Sequence, residues 1–307
     1  MPGTGYLTQT SQSSATVALP ATCGELVQGL FAGELCLVSC PIGWYGHTTV
    51  HLNPEGLWNL PPRTPKVARA LAVAWQHLGY TVAGGVVRLA ADIPRGRGYG
   101  SSTVDVAGTL YALGHALGKP FTPEDVARLA VRVEPTDSTF WPGLALFAHR
   151  TGTLARALGP APPLQVVVVD PGGEVDTTAF NRALSADALR PLAAAHREAF
   201  DLLQWGLEHR AWEAVAAAAT LSASVHQAIL HNALLDTVLR LSREVGALGV
   251  CRAHSGTLLG ILVDSTAQDV AEVVTWVQPR MPDGVTVRAF PLVGGGPRMQ
   301  GHAEQVV

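Results

Sequence analysis

The 307-residue chain has almost no lysine: Lys66 and Lys119 are the only two, and arginine supplies the rest of the positive charge. That scarcity reads as a habit of composition rather than a clue to function. Net positive charge is missing as well. The formal value is −3 at pH 7, which argues against a nucleic-acid binder or a polybasic membrane protein. Cysteine is sparse, at Cys23, Cys36, Cys40 and Cys251. No pair has Cys-x-x-Cys spacing and no matched histidine cluster flanks them, so a zinc or redox site is disfavoured. Free thiols in a reducing cytoplasm are expected instead. No signal peptide, membrane-spanning apolar run, internal repeat or low-complexity block is apparent. The segment from Met1 to Ser14 is rich in Ser, Thr, Gln and Gly and is predicted to be loose.

What the chain does have is apolar residues, 48% of the total. It can bury a substantial core, in one large or two ordinary domains. Strands are predicted at Thr16 to Leu19, Glu34 to Ser39, Trp44 to Leu52, Val86 to Ala90, Leu144 to Ala148, Leu164 to Asp170, Val250 to Ala253, Thr257 to Val263 and Val285 to Phe290. Asn53 to Pro65 reads as loop. Helical spacing runs from Lys66 to Leu78, ending at Gly79, and from Ser101 through Leu113. Thr122 caps a further helix with Pro123 at its first position, running to about Val133. Ala186 to Gly246 is helical throughout, and Ala267 to Val277 is a last helix. Val293 to Pro297 is expected to end the ordered part. The pattern is α+β in two lobes, 1–158 and 159–307, with the boundary where Gly and Pro cluster near Gly159 to Pro163.

The most informative stretch is Pro94-Arg-Gly-Arg-Gly-Tyr-Gly-Ser-Ser-Thr103. It follows a strand and opens a helix. The first N–H groups of a helix lack internal partners and carry the positive end of its dipole. Gly96, Gly98 and Gly100 let the chain curl so that bare N–H groups approach a ligand. The chemistry suits a phosphate. Arg95 and Arg97 add charge, and the Ser101 and Ser102 hydroxyls can reach a phosphate oxygen or a metal. The competing reading is a glycine turn with an ordinary Ser cap. Neither common nucleotide fingerprint fits: the Gly-Lys-Ser/Thr of a Walker loop is missing, and so is Gly-x-Gly-x-x-Gly with a later acid.

This stretch resembles the phosphate loop of the GHMP kinases, usually Pro-x-x-x-Gly-x-Gly-Ser-Ser-Ala, with Thr103 in place of Ala. Three further segments resemble that family's motifs. Pro20-Ala-Thr-Cys-Gly-Glu-Leu-Val-Gln-Gly29, on spacing alone a bend between strands, matches the first motif on the acceptor side of the cleft. Glu25 stands there at the position of an Asn. Glu134-Pro-Thr-Asp-Ser-Thr139 matches the segment with the catalytic aspartate. Arg252-Ala-His-Ser-Gly-Thr-Leu-Leu-Gly260 matches the third, glycine-rich motif. The resemblance implies a two-lobed fold, the N-terminal lobe like the second domain of ribosomal protein S5 and the C-terminal lobe ferredoxin-like.

It also implies ATP and Mg²⁺ as cofactors. Residues 94 to 103, Pro94 and Tyr99 included, would hold the ATP phosphates. Ser102 and Glu134 would hold the metal, and Asp137 would face the substrate hydroxyl. Glu25, Thr136, His254 and Ser255 would contact a small amino-acid substrate, Glu25 taking its ammonium group. Arg252, His254 or His47 would take its carboxylate. The four segments together look most like the branch that phosphorylates L-threonine on the way to the aminopropanol linker of cobalamin. Homoserine as acceptor, or a catalytically silent nucleotide-binding protein on the same fold, are the alternatives. A homodimer is compatible with the reading, and nothing in the sequence specifies it.

Overall fold

The computed structural model describes residues 14–53, 56–79, 81, 84–175 and 177–300. The segment expected to be loose at the start lies almost wholly outside the described residues, and Ser14 already begins a strand.

Two long antiparallel strands form the backbone of the molecule. They are β1 (Ser14–Phe31) and β2 (Glu34–Leu52), joined by a tight turn at Ala32 and Gly33. The sequence suggested shorter strands separated by bends. The prolines and glycines at Pro20, Gly24, Pro41 and Gly43 instead mark bulges inside continuous strands. Register shifts fall between Pro20 and Ala21, between Thr22 and Glu25, and between Glu25 and Val27. A bulge leaves backbone groups unpaired and turns the strand, and the freed groups are used below.

The remaining elements build outward from this pair. First come β3 (Trp58–Asn59), α1 (Pro65–Leu78) and β4 (Gly85–Ala90). So Asn53 to Pro65 is not all loop: its short strand pairs in parallel with β4, while residues 54 and 55 lie outside the described ones. Next are α2 (Ser101–Ala116), α3 (Pro123–Ala130), β5 (Leu144–Ala148), β6 (Ala155–Gly159) and β7 (Gln165–Asp170). Gly79 closes α1 in the left-handed conformation. Thr122 and Asp125 form a reciprocal capping box on α3, which ends at Ala130 rather than Val133.

The predicted helical stretch resolves into separate helices. They are α4 (Thr177–Ala183), α5 (Ala186–Leu189), α6 (Ala193–His209), α7 (Trp212–His226) and α8 (Leu235–Glu244). The chain closes with β8 (Gly249–Arg252), β9 (Leu259–Val263), α9 (Val270–Val277), β10 (Thr286–Pro291) and β11 (Arg298–Gln300). Order therefore continues past Pro297, because β11 pairs back onto β1.

The strands form one sheet in the order β10-β7-β9-β8-β1-β2-β4-β3, with β5 and β6 attached through β2. It is continuous across residue 159. The main core lies between this sheet and α1, α2, α6 and α7, and a second cluster is built from β7, β9, β10, α8 and α9. Nearly every side of α2 is buried, from Thr103 to Ala116. A helix apolar all round sits inside a core rather than on it. Its N-terminus is thereby fixed in place, and the site is built there. All four cysteines are free and buried. No described helix is long and apolar enough to cross a membrane.

Candidate active site

The loop before α2 is shaped by three left-handed glycines, Gly96 (φ +71), Gly98 (φ +105) and Gly100 (φ +69). The N-cap of α2 is Gly100, and no side chain caps the helix. Ser101 is thus the first helical residue and not the cap of the competing reading. An ordinary Ser cap would have consumed a hydroxyl on the helix's own N–H groups. Here neither the Ser101 nor the Ser102 hydroxyl is spent on those N–H groups, and both lie beside the positive end of the dipole.

Neighbouring segments clamp the loop through backbone. The β1 bulge donates Thr22 N–H to Tyr99 O (2.9 Å) and Gly24 N–H to Gly98 O (3.2 Å). From the other side, Thr257 and Leu258 N–H groups donate to Arg97 O at 2.9 and 3.2 Å. Gly256 lies so close that a Cβ there would fall 2.2 Å from Arg97 O. The first and third glycine motifs therefore support the loop before α2 directly. That contact also shortens β9, which begins at Leu259 rather than Thr257.

The loop opens onto a cavity of about 330 Å³, lined along one wall by Gly96, Gly98, Gly100, Ser101, Ser102 and Thr103. Beside them stand Glu134, Thr136 and Asp137, and Glu25, Lys66, His149, Asn181, His254 and Ser255 are among the other lining residues. Asp137 sits against the glycine turn: a Cβ on Gly100 would lie 2.8 Å from its Oδ2. Thr103 holds it at both ends. The Thr103 hydroxyl donates to Asp137 Oδ2 (3.2 Å) and accepts from Asp137 N–H (3.0 Å). Burial pushes the Asp137 carboxyl up to about 6, against the lowering effect of the Thr103 bond. It is a carboxylate near neutrality, with more affinity for a proton than an exposed one.

Glu134 accepts from the Ser102 hydroxyl. The Lys66 ammonium joins them, 2.5 Å from Glu134 Oε2 and donating to Ser102 Oγ at 2.8 Å. An acid at the end of α3 opposes that helix's dipole, and Lys66 supplies the compensation. Lys66 was set aside on the sequence as compositional. The signal was its rarity, one of two lysines in an arginine-rich chain, at the start of a helix.

Other expected residues have different surroundings. Pro94 and Arg97 do not line the cavity. Arg97 pairs instead with Asp170 (3.0 Å), which also accepts from the Tyr99 hydroxyl (3.1 Å) and Gly172 N–H (2.8 Å). Arg95 lines the cavity but pairs with Asp105 at 2.6 Å. Arg252, named for a substrate carboxylate, is 1% exposed and lies outside the lining. Its guanidinium donates to Gln227 Oε1 (2.9 Å) and Leu230 O (2.7 Å). His47 lies in the β2–β4 pairing, also outside the lining.

Glu25 is 3% exposed and Oε2 has no partner. Its carboxyl is held well above the usual range by burial and then by the nearby Asp137, a Ser39 hydroxyl bond opposing. His149 and Asn181 were not expected here. Both lie in segments without a motif, and only the sheet and α4 bring them in.

An uncapped helix N-terminus, a glycine turn and a carboxylate set against that turn are an arrangement suited to phosphoryl transfer to a small alcohol. Residues 65–140 match the model of the GHMP kinase N-terminal domain. The chain is 33% identical to an L-threonine kinase of Salmonella typhimurium, over 84% of this chain and 86% of that protein. It is 32% identical to an L-threonine kinase of Citrobacter freundii, over 86% and 91%. Its fold is similar to that of a homoserine kinase from Cytophaga hutchinsonii, with TM-score 0.72, 18% identity, and 96% and 100% of the two chains covered. The chain belongs to the GHMP kinases. It is an ATP-dependent phosphotransferase of small molecules.

Proposed function

We propose that the enzyme transfers the γ-phosphoryl group of ATP to the hydroxyl of L-threonine, giving O-phospho-L-threonine for the aminopropanol linker of cobalamin. The observation that carries the reading is the contact between Asp137 and the Gly100 turn, beside a pocket with a buried acid for an amino acid's ammonium. Overall similarity to two threonine kinases supports the acceptor.

Phosphoryl transfer depends on positioning and charge neutralisation more than on covalent chemistry. The N–H groups from Gly96 to Ser102 would cradle the phosphates, with Lys66 adding a mobile positive charge. Asp137 would orient the acceptor hydroxyl and take its proton late in transfer. Ser102 and Glu134 fit a magnesium ion: both offer oxygen, and they already hold one cation together, the Lys66 ammonium. Bound there with nucleotide phosphates, the ion would offset their charge. Localisation is cytoplasmic in this reading, with neither nucleic acid nor membrane as partner and a homodimer as the natural assembly to test by light scattering.

The decisive experiment is an acceptor panel of threonine, serine and homoserine with ATP and magnesium, read by phosphorus NMR. Threonine is expected to have the highest kcat/KM. A preference for homoserine would replace the acceptor, and nucleotide binding without transfer to any alcohol would overturn the reading.

A further inference from the structure

Deep in the cavity, four buried polar atoms have no hydrogen-bond partner: Glu25 Oε2, His254 Nε2 and both ring nitrogens of His149. Leaving such groups unpaired is costly, so a site that keeps four of them is built to pair them with something else, and Glu25 and His254 are the pair beside the Gln28 amide. The kind of partner follows from the tautomer of His254.

The chain of donors begins at Arg252 O, which can only accept. Gln28 Nε2 donates to it at 3.5 Å, and this orients the Gln28 amide. Gln28 Oε1 therefore faces His254 Nδ1, at 2.6 Å. A carbonyl oxygen only accepts, so Nδ1 carries the proton. Burial and the charges of Arg150 and Arg252 push the His254 imidazole down to about 3, so it is neutral. A neutral imidazole with its proton on Nδ1 has a lone pair on Nε2. His226 steadies the same residue from below, its Nε2 lying 2.8 Å from His254 O. The ring packs edge-on against His149 and Phe180, with centroids 4.8 and 5.2 Å away.

His254 Nε2, and Glu25 Oε2 once ionised, can thus accept hydrogens, and a partner that pairs both must donate several, while the unpaired ring nitrogens of His149 face the same cavity. That excludes His254 as the reader of a substrate carboxylate while it stays neutral. We infer that Glu25 and His254, with Gln28 fixing the imidazole, form a subsite for the α-ammonium group of the acceptor. The enzyme then selects free amino acids over hydroxy acids of the same shape. This rests on the proposed function and adds the residues that set its specificity. Glu25 would give up its proton to solvent as the ammonium arrives, since the incoming charge removes the reason for holding it.

The test compares L-threonine with (R)-3-hydroxybutyrate, which keeps the hydroxyl and carboxylate and lacks the amino group. A site built to hydrogen-bond a substrate group rejects the analogue without it by about 10⁴-fold or more, and the wild type should do so. His254→Phe and Glu25→Gln should each raise KM for threonine by about 10- to 100-fold, the loss of one charge-assisted hydrogen bond. The KM for ATP should stay put. On the wild type, which avoids any folding defect of the variants, nitrogen NMR of the histidine rings should find an unprotonated Nε2 on His254 whose resonance moves on adding threonine. Calorimetry in buffers of different ionisation enthalpy should register proton release, absent in Glu25→Gln. Transfer to threonine with an unmoved His254 signal would overturn the subsite alone. No transfer to any amino acid would overturn the function, and the subsite with it.

Discussion

Asp137 has two opposed duties. Ionised, it orients and deprotonates the acceptor; buried, it resists ionisation, with its carboxyl raised from 3.8 to about 6. Activity that needs the carboxylate should therefore fall as pH drops through about 6, seen in kcat/KM, which reports the free enzyme. Stability runs the other way. A raised carboxyl favours the folded state below its unfolded value of 3.8, and that contribution is lost as pH rises through about 6. Asp137→Asn should lower kcat by ~10²–10⁴ while raising Tm at pH 8 and leaving it unchanged near pH 4. A variant that kept near-normal turnover would remove Asp137 from the mechanism. Lys66 makes a separate case. Removing one preorganised positive donor from a transition state typically costs ~10²–10³ in kcat, and Lys66→Met should fall in that range. Arg128→Met, which breaks an exposed pair with Asp125 away from the cavity, is the matched control.

Among elements, the turn into α2 matters most, and its glycines separate two effects. Gly33 and Gly100 both have positive φ, +84 and +69. Alanine at either should lose about 1–2 kcal/mol of stability from the left-handed backbone, measured by urea unfolding. A Cβ at Gly33 meets nothing within 4 Å, whereas one at Gly100 meets Asp137 Oδ2 and the Thr22 methyl at 2.8 and 3.1 Å. Gly33→Ala should therefore keep its activity and Gly100→Ala should lose most of it; equal activities would mean that the Asp137 contact is incidental. The same turn marks what could be read from the sequence. The loop, its glycines and the acid at Asp137 stand in contiguous motifs, and α1, α3 and β7 carry their own caps or apolar runs. The long strands were not legible, because Pro20, Gly24 and Pro41 are ordinary turn residues unless a neighbour uses the groups a bulge releases. That neighbour is the Gly98–Tyr99 backbone, far away in the chain. Lys66, His149 and Asn181 were hidden for a related reason, since each enters the cavity by tertiary placement alone.

At the scale of the whole molecule, the question is whether the two proposed lobes, 1–158 and 159–307, can stand apart. The motif-bearing β1 makes them interdependent. It pairs with β2 on one side, and with β8 at Glu25 and Arg252 on the other. Its outer end accepts β11 from the extreme C-terminal part of the described chain, and Ser222 of α7 accepts from Gln28 N–H. Cutting at residue 159 would strip β1 of β8 and β11 and expose the face covered by α6 and α7. An edge of that length, apolar on both faces, pairs with other chains. We expect fragment 1–158 to aggregate, and the full chain to unfold in one step, with tryptophan fluorescence and far-ultraviolet circular dichroism giving coincident urea midpoints. ATP should shift both signals together, because the loop it would occupy is clamped by β1 from the first half and by the Gly256 turn from the second. Separate midpoints, with ATP moving only the earlier or the later, would mean that the lobes fold as independent units and that the clamp around the loop is a docking contact between them.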